Sequence, residues 1–323
     1  MMDHDLHTLL EIPRWRTRRA VQWTKAPDFW EKLTSGDTLF TTLSQAAKRR
    51  SLGRAAQLAE ELEEARETLH DARFETKWNT VRALVWCAER AVALHEHPVT
   101  ELDSAVLAVG GFPSFLKSRE DWAWITVRSF LEPPRRSVRV PVVGWDPTGE
   151  AGGSLRTLVL EVFERGAGHL ASHPATVFET ASDDDFRASM SNAWDAARLL
   201  PPRQHQPGTT LYDGRWQLLE NQAFARQANG PSAGGAAALG FYHALRNTVP
   251  DEALIVTAEV QPTGELKEVD GIAAKVKAIA NAGRFDTIVV AGEKNKTDAK
   301  RVLDELGKGA AIRVGTPEEL LRL

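Results

Sequence analysis

The chain has 323 residues, which is long enough for two domains that each bury a core of their own. It carries 40 lysines and arginines against 44 aspartates and glutamates, a formal net charge of −4, so no nucleic-acid or anionic-membrane partner is predicted. The single cysteine, Cys87, excludes an internal disulfide framework and lies in an apolar helical pattern typical of a core residue. Residues 1–7 lack a signal-peptide pattern and no apolar run reaches about 18 residues, so we expect a cytoplasmic protein.

The first part of the chain has the pattern of a helical domain. Helices are predicted over residues 54–66, 74–96 and 121–130, the second and third of which contain several tryptophans. The prolines at 133 and 134 disfavour helix and mark a boundary. We therefore predict a mainly α-helical domain over 1–135, of no family that its residues indicate. Its tryptophans are either core residues or anchors of a docking surface for a regulatory partner.

The second domain, over 136–323, begins with strands and then reaches a Gly-Pro-Ser-Ala tetrad at 230–233. Strands are predicted at 138–143 and 158–163. After the tetrad, small and helix-favouring residues continue to Arg246, and Pro231 suits a first helical position. Ser232 would then lie in the first helical turn, where free backbone N–H groups can stabilise an oxyanion.

Lys275 lies 43 positions after Ser232, on the next predicted helix. A strand is predicted at 253–260 and a helix at 271–282, closed by Gly283. At about 100° per residue, Lys275 shares the apolar face of that helix whereas Lys277 points to water. An inward lysine either pairs with a carboxylate or has its pKa lowered by desolvation, and a lowered pKa makes it a usable general base near neutral pH. Ser232 and Lys275 therefore form a candidate serine–lysine pair for nucleophilic hydrolysis.

At these residues the sequence resembles the proteolytic domain of Lon-family proteases. The resemblance covers the chain from about Asn229 to the C-terminus and is faint from 140 to 228. The matching features are Gly-Pro-Ser-Ala-Gly at 230–234, Thr-Ala-Glu at 257–259, Gly264, Gly271, Lys275, the strand at 287–291, Glu293, Asn295 and the ending at 313–321.

The resemblance implies an α+β Lon-like protease fold for 136–323 and a Ser232–Lys275 catalytic dyad. It implies that the Thr257 hydroxyl orients the lysine, with Gly230, Asn229 and Glu259 as supporting residues. Glu259 is equally well read as an ordinary surface carboxylate. The resemblance also implies a protein or peptide substrate and a homo-oligomer, a hexameric ring.

Two positions depart from the family pattern. Asn229 stands where the family usually has an aspartate, which removes a negative charge near the dyad. The segment at 215–220 lacks the histidines that the family carries there, which puts the shape of the substrate groove in question.

Other chemistries lack their motifs. The only Gly-Lys pair, Gly307 and Lys308, has no phosphate-loop context, so the chain does not carry the ATPase found beside most Lon protease domains. His169 and His173 lack the glutamate of a zinc-protease helix. No cofactor and no metal are predicted.

The sequence predicts an ATP-independent Lon-like serine endopeptidase that acts on an unfolded or partner-presented protein. Two alternatives stay open. One is a catalytically idle Lon-like scaffold, and the other is an adaptor that works through protein binding with latent peptidase activity.

Overall fold

The computed structural model describes residues 133–145, 152–164, 166, 168–173, 176, 180–199 and 212–315, and further helical or isolated positions at 87, 91, 125–127 and 129. The chain divides into two compact units, one formed by 1–133 with 171–179 and the other by 134–170 with 180–323. The prediction of a helical domain over 1–135 falls almost wholly outside the described residues and stays a prediction. The predicted helix at 316–321 also lies outside them.

The described residues of the first unit include buried helical positions. Cys87 and Ala91 are helical and fully buried. Ile125 and Val127 are also helical, and at most 1% of the surface of each is exposed. Burial raises the pKa of the Cys87 thiol well above its ordinary value, so the sulfur stays protonated at neutral pH. The predicted core position of Cys87 is confirmed.

An antiparallel sheet opens the second unit. Strand β1 (Arg136–Trp145) pairs with β2 (Gly153–Phe163), which pairs in turn with β5 (Asp213–Glu220). The short β6 (Ala223–Phe224) turns back on β5, and β3 (Leu170–Ser172) lies where the two units divide. Both strands predicted here, at 138–143 and 158–163, are confirmed and extend a few residues further.

Alternating side chains of this sheet bury one face under two helices. Val138, Val140 and Val142 are buried on β1, as their spacing of two requires. Helix α1 (Asp184–Leu199) and helix α2 (Gly234–Arg246) supply the opposing layer. Trp194 of α1 meets Phe241 of α2 edge to face, with ring centroids 5.0 Å apart.

A buried ion pair ties β2 to β5 on the sheet. Glu161 and Arg215 are partners in the strand register, and the Arg215 Nε lies 2.6 Å from Glu161 Oε2. Arg215 also lies over the Phe163 ring, 5.1 Å from its centroid. Arg215, in the segment that lacks the family's histidines, is therefore part of the sheet's own packing.

A parallel sheet forms the second half of the unit. Its order is β12 (Arg313–Gly315), β11 (Thr287–Val290), β8 (Leu254–Thr257). Helix α3 (Ile272–Ala282) and helix α4 (Gly292–Glu305) pack with it. Their shared core consists of Val143, Ile255, Ile272, Val276, Ile279, Ala280, Phe285, Ile288, Val290, Ala299, Val302, Leu303, Ile312 and Val314.

Two short strand pairs complete the unit. The parallel pair β4 (Ala181–Ser182) and β7 (Gln227–Ala228) joins the start of α1 to the segment before the tetrad. The antiparallel pair β9 (Glu259–Val260) and β10 (Leu266–Lys267) follows β8. The described part of the second unit is thus a mixed α/β structure.

Candidate active site

Ser232 lies in a tight turn that leads into α2. The segment Pro231–Ala233 is a single 3₁₀ turn, and the Gly234 N–H donates to the Pro231 carbonyl. Gly230 has φ 72° and ψ 167°, a conformation open in practice only to glycine. The α-helix itself begins at Gly234, so Ser232 lies just before it, whereas the sequence predicts a place within its first turn. The left-handed Gly230 and the following proline produce this tighter geometry.

Hydrogen bonds from two other elements fix the backbone of the turn. The Ser189 hydroxyl of α1 donates to the Pro231 carbonyl at 2.9 Å. The Ala258 N–H donates to the Ser232 carbonyl at 3.2 Å, and the Gly235 N–H donates to the Ala258 carbonyl at 2.9 Å. Ser232 is half-buried, and three hydrogen bonds hold the main chain around it.

These bonds also explain a break in the predicted strand at 253–260. Ala258 uses both of its main-chain groups on the turn, and therefore it cannot continue the ladder of β8. The strand stops at Thr257, and β9 starts at Glu259 in a different sheet. The interruption sets Thr257 next to the residue that binds the Ser232 backbone.

Lys275 is buried on α3 with only 3% of its surface exposed, whereas Lys277 is exposed. The helix runs from Ile272 to Ala282 and ends at the left-handed Gly283, as the sequence predicts, but Gly271, predicted as its first residue, lies before it with a left-handed φ of 71°. The Lys275 Nζ donates to the Asp270 carbonyl at 2.7 Å. Desolvation by burial lowers the pKa of Lys275 from 10.5 to about 8, and the negative charge of Asp270 opposes this.

The loop before Lys275 is itself tightly held. The Asn295 side chain of α4 accepts from the Val269 N–H at 2.9 Å and donates to the Val269 carbonyl at 3.0 Å. A Cβ on Gly271 would come within 2.4 Å of the Trp145 ring. Asn295 and Trp145 therefore fix the start of α3, and with it the position of the lysine.

Thr257 ends β8 and is completely buried. Its backbone is paired in register with Val290 of β11. Its hydroxyl oxygen has no hydrogen-bond partner among the described residues. A buried hydroxyl without a partner costs about 1–3 kcal/mol, and such a cost is usual at functional sites.

The other predicted site residues, Asn229, Gly230 and Glu259, are exposed or half-buried. Asn229 is exposed, and Gly230 after it donates its N–H to the carboxylate of Asp183 at 3.0 Å. Glu259 is half-buried, and its carboxylate accepts from the Gln261 side chain at 2.6 Å.

The fold brings Ser232 beside the end of β8 through the Ala258 bonds. Among the described residues no hydrogen bond joins the Lys275 Nζ to Ser232 or to Thr257. In this state, the amine bonds to its own loop. Catalytic hydrogen bonds often form only when substrate is bound, so the open arrangement is compatible with catalysis.

Sequence reasoning missed α1 and two residues that contact the turn, Asp183 just before this helix and Ser189 on it. A signal was present, because three aspartates at 183–185 precede apolar residues at helical spacing, Phe186, Met190, Ala193, Trp194 and Ala197. The contact of each residue with the turn had no such signal, since both are more than 40 positions away in the sequence.

Comparison of the chain with protein-family models and with curated proteins gives no match. Within the part of the chain that the structure describes, no group of three or more histidines, cysteines, aspartates or glutamates could hold a metal ion. No helix among the described residues is long and apolar enough to cross a membrane.

Proposed function

We propose that residues 136–323 form a Lon-like proteolytic domain with Ser232 as nucleophile and Lys275 as general base. The observation that carries the proposal is the burial of Lys275. Its amine bonds to a backbone carbonyl, and its pKa falls to about 8. A buried lysine of purely structural use would be expected to bond to a carboxylate, which would hold its pKa high.

The chemistry follows from that protonation state. Neutral Lys275 takes the proton of the Ser232 hydroxyl while the oxygen attacks the carbonyl carbon of a peptide bond. The lysine then gives the proton to the departing amine, leaving an acyl ester on Ser232. Water, deprotonated by the same lysine, hydrolyses the ester and restores the free serine.

Thr257 has the supporting role in this proposal. Its buried hydroxyl, without a partner among the described residues, could accept from the Lys275 amine after the lysine leaves the Asp270 carbonyl. Such a bond would hold the amine in one orientation. The cost of the unpaired hydroxyl in the free state would then be recovered during catalysis.

The substrate class in this proposal is an unfolded or partner-presented protein, cleaved without ATP in the cytoplasm. The resemblance to Lon proteases, the absent phosphate-loop motif and the half-buried position of Ser232 beside the exposed Asn229 support it. A helical domain over 1–135 would choose or tether the substrate, and a homo-oligomeric ring, a hexamer by resemblance, would enclose the sites.

One observation favours the second candidate, an idle scaffold or adaptor. The lysine bonds to its own loop, with no hydrogen bond to Ser232 in the described structure. Asn229 also removes the negative charge that the family carries before the tetrad. In that candidate, the domain would serve assembly or partner binding.

The deciding experiment is cleavage of a permanently unfolded protein by the full-length chain. We expect Ser232→Ala and Lys275→Ala to abolish cleavage without loss of folding, because each removes one half of the proton transfer. Lys277→Ala is the matched control, since Lys277 lies on the same helix but is exposed. Wild-type turnover in either dyad variant would refute the dyad, and an inactive wild type would favour the scaffold.

A further inference from the structure

Asp183 links the start of α1 to the turn that carries Ser232. Its carboxylate accepts the Phe186 N–H at 2.7 Å, which caps α1. The same carboxylate accepts the Gly230 N–H, at 3.0 Å through one oxygen and 3.2 Å through the other. The Asp183 N–H in turn donates to the Ala228 carbonyl at 3.1 Å. One residue thus serves two separate elements.

The hydrogen bond of the Gly230 N–H fixes the backbone just before the Ser232 turn. Gly230 has the left-handed φ of 72° that reverses the chain, and the next residue, Pro231, has no N–H to anchor. The orientation of the peptide between residues 229 and 230 therefore depends on the partner of this single donor. Asn229 is exposed and the Gly230 donor meets the carboxylate of Asp183, which comes from 47 positions away.

A second contact from α1 holds the other side of the same turn. Ser189 is 1% exposed, and its hydroxyl donates to the Pro231 carbonyl. A Cβ on Gly234 would lie 2.4 Å from the Ser189 oxygen, so the helix and the turn are in close contact. Asp183, just before α1, thus holds the peptide before Gly230, and Ser189, on α1, holds the peptide after Pro231.

We propose that Asp183 is a positioning residue for Ser232, which acts through the Gly230 N–H by holding the peptide before Gly230. This inference rests on the proposed function. A role confined to capping α1 is the competing explanation. The two explanations predict different results for a variant that still caps α1 but no longer bonds to the Gly230 N–H.

Asp183→Ser separates the two roles. A serine hydroxyl caps helices as well as an aspartate does, but its oxygen lies one bond closer to the main chain and cannot reach the Gly230 N–H while it caps α1. Asp183→Asn is the conservative rescue, because its amide oxygen remains an acceptor at the same reach. Asp184→Asn is the matched control, since Asp184 lies next to it in the first turn of α1, almost fully exposed.

The first measurement is amide hydrogen exchange, by mass spectrometry, of the peptide that contains Gly230 in the full-length chain. It needs no catalytic activity. We expect faster exchange in Asp183→Ser and near-wild-type exchange in Asp183→Asn and Asp184→Asn. Unchanged exchange in Asp183→Ser would overturn the proposal.

The second measurement is the steady-state kinetics of the same variants. We expect kcat to fall about tenfold or more in Asp183→Ser with little change in KM, because a displaced nucleophile affects the chemical step. Asp183→Asn should recover most of kcat, and the thermal midpoints should stay close together. An unchanged kcat, or a kcat that follows the thermal midpoint across all variants, would also overturn the proposal. If the wild type cleaves nothing, the proposed function fails with it, and the exchange experiment still decides whether Asp183 holds the turn.

Discussion

At the scale of single residues, the buried amine of Lys275 has two measurable consequences. With a pKa of about 8 in the folded chain, the neutral form of the base becomes populated as the pH rises through that value. We expect kcat/KM to rise with a midpoint near pH 8. An ordinary lysine would give a midpoint more than two pH units higher. Initial rates from pH 6 to pH 10 measure this, and a rate independent of pH across that range would exclude Lys275 as the base.

The same pKa determines how the stability of the fold depends on pH. Below pH 8 the lysine is charged in both states, so the full cost of burying the charge, roughly 3 kcal/mol, reduces stability. Between pH 8 and 10.5 the unfolded chain binds the extra proton, and therefore stability rises with pH. The free energy of unfolding of the wild type should increase relative to Lys275→Met across this window. Lys277→Met should show no such difference from the wild type.

Thr257 combines a cost for stability with a proposed use in catalysis. Thr257→Val removes a buried hydroxyl that has no partner among the described residues, at nearly the same volume. We expect the free energy of unfolding to stay the same or rise, by up to about 1–3 kcal/mol, because no hydrogen bond is lost. Turnover should fall about tenfold or more because the lysine loses its orienting acceptor. Denaturant unfolding and steady-state kinetics on one preparation of each protein measure both quantities. Unchanged turnover in Thr257→Val would make Thr257 an ordinary strand residue.

At the scale of elements, α2 depends on glycines for its position against the rest of the fold. A Cβ on Gly235 would lie 2.8 Å from Val256 of β8, and one on Gly240 would lie 2.4 Å from Leu160 of β2. Both positions are helical, so glycine is not needed for its conformation there. It is needed because α2 packs closely on both sheets.

The two glycines make a matched pair of substitutions. Gly235→Ala and Gly240→Ala should each lower the free energy of unfolding by up to about 2 kcal/mol, since an overpacking cost of roughly 1–3 kcal/mol is reduced by about 1 kcal/mol from helix propensity. Only Gly235 bonds to Ala258 and adjoins the Ser232 turn. Turnover per folded molecule should therefore fall in Gly235→Ala and persist in Gly240→Ala. Equal effects on turnover would show that the turn tolerates displacement.

At the scale of the whole molecule, the proposed function predicts cleavage that does not depend on ATP. Unfolding a typical domain requires about 5–15 kcal/mol, and the phosphate-loop motif that would couple this work to ATP is absent from the sequence. We expect the full-length protein to cleave an unfolded protein at the same rate with and without Mg-ATP, and to leave a stably folded domain intact. Gel-based cleavage assays of both substrates measure this. Strict ATP dependence of the purified chain would contradict the proposed mechanism.

The helical domain predicted over 1–135 would supply specificity in place of a motor. A short connection can raise the local concentration of a tethered partner to the millimolar range, which would favour one partner over generic unfolded chains. The tryptophans of that segment stay undecided between core and docking surface, because they fall outside the described residues.

What the sequence by itself determined about this protein is mainly local. The helix Ile272–Ala282 to within one residue, its end at Gly283 and the inward face of Lys275 follow from a repeat of 3.6 residues and from the backbone freedom of glycine. Both patterns are readable within a dozen positions. The β1 and β2 strands follow from alternation in the same way.

Only the tertiary structure decided how the candidate nucleophile is held. The bonds of Asp183 and Ser189 to the turn join residues 47 and 42 positions apart, and no local pattern predicts which side chains meet at such separations. The break of the strand at Ala258 has the same origin, since the main-chain groups of Ala258 are used by the Ser232 turn. The partner of the Lys275 amine was also beyond sequence reasoning, because a hydrogen bond to Asp270 or to a distant residue depends on the packing that surrounds it.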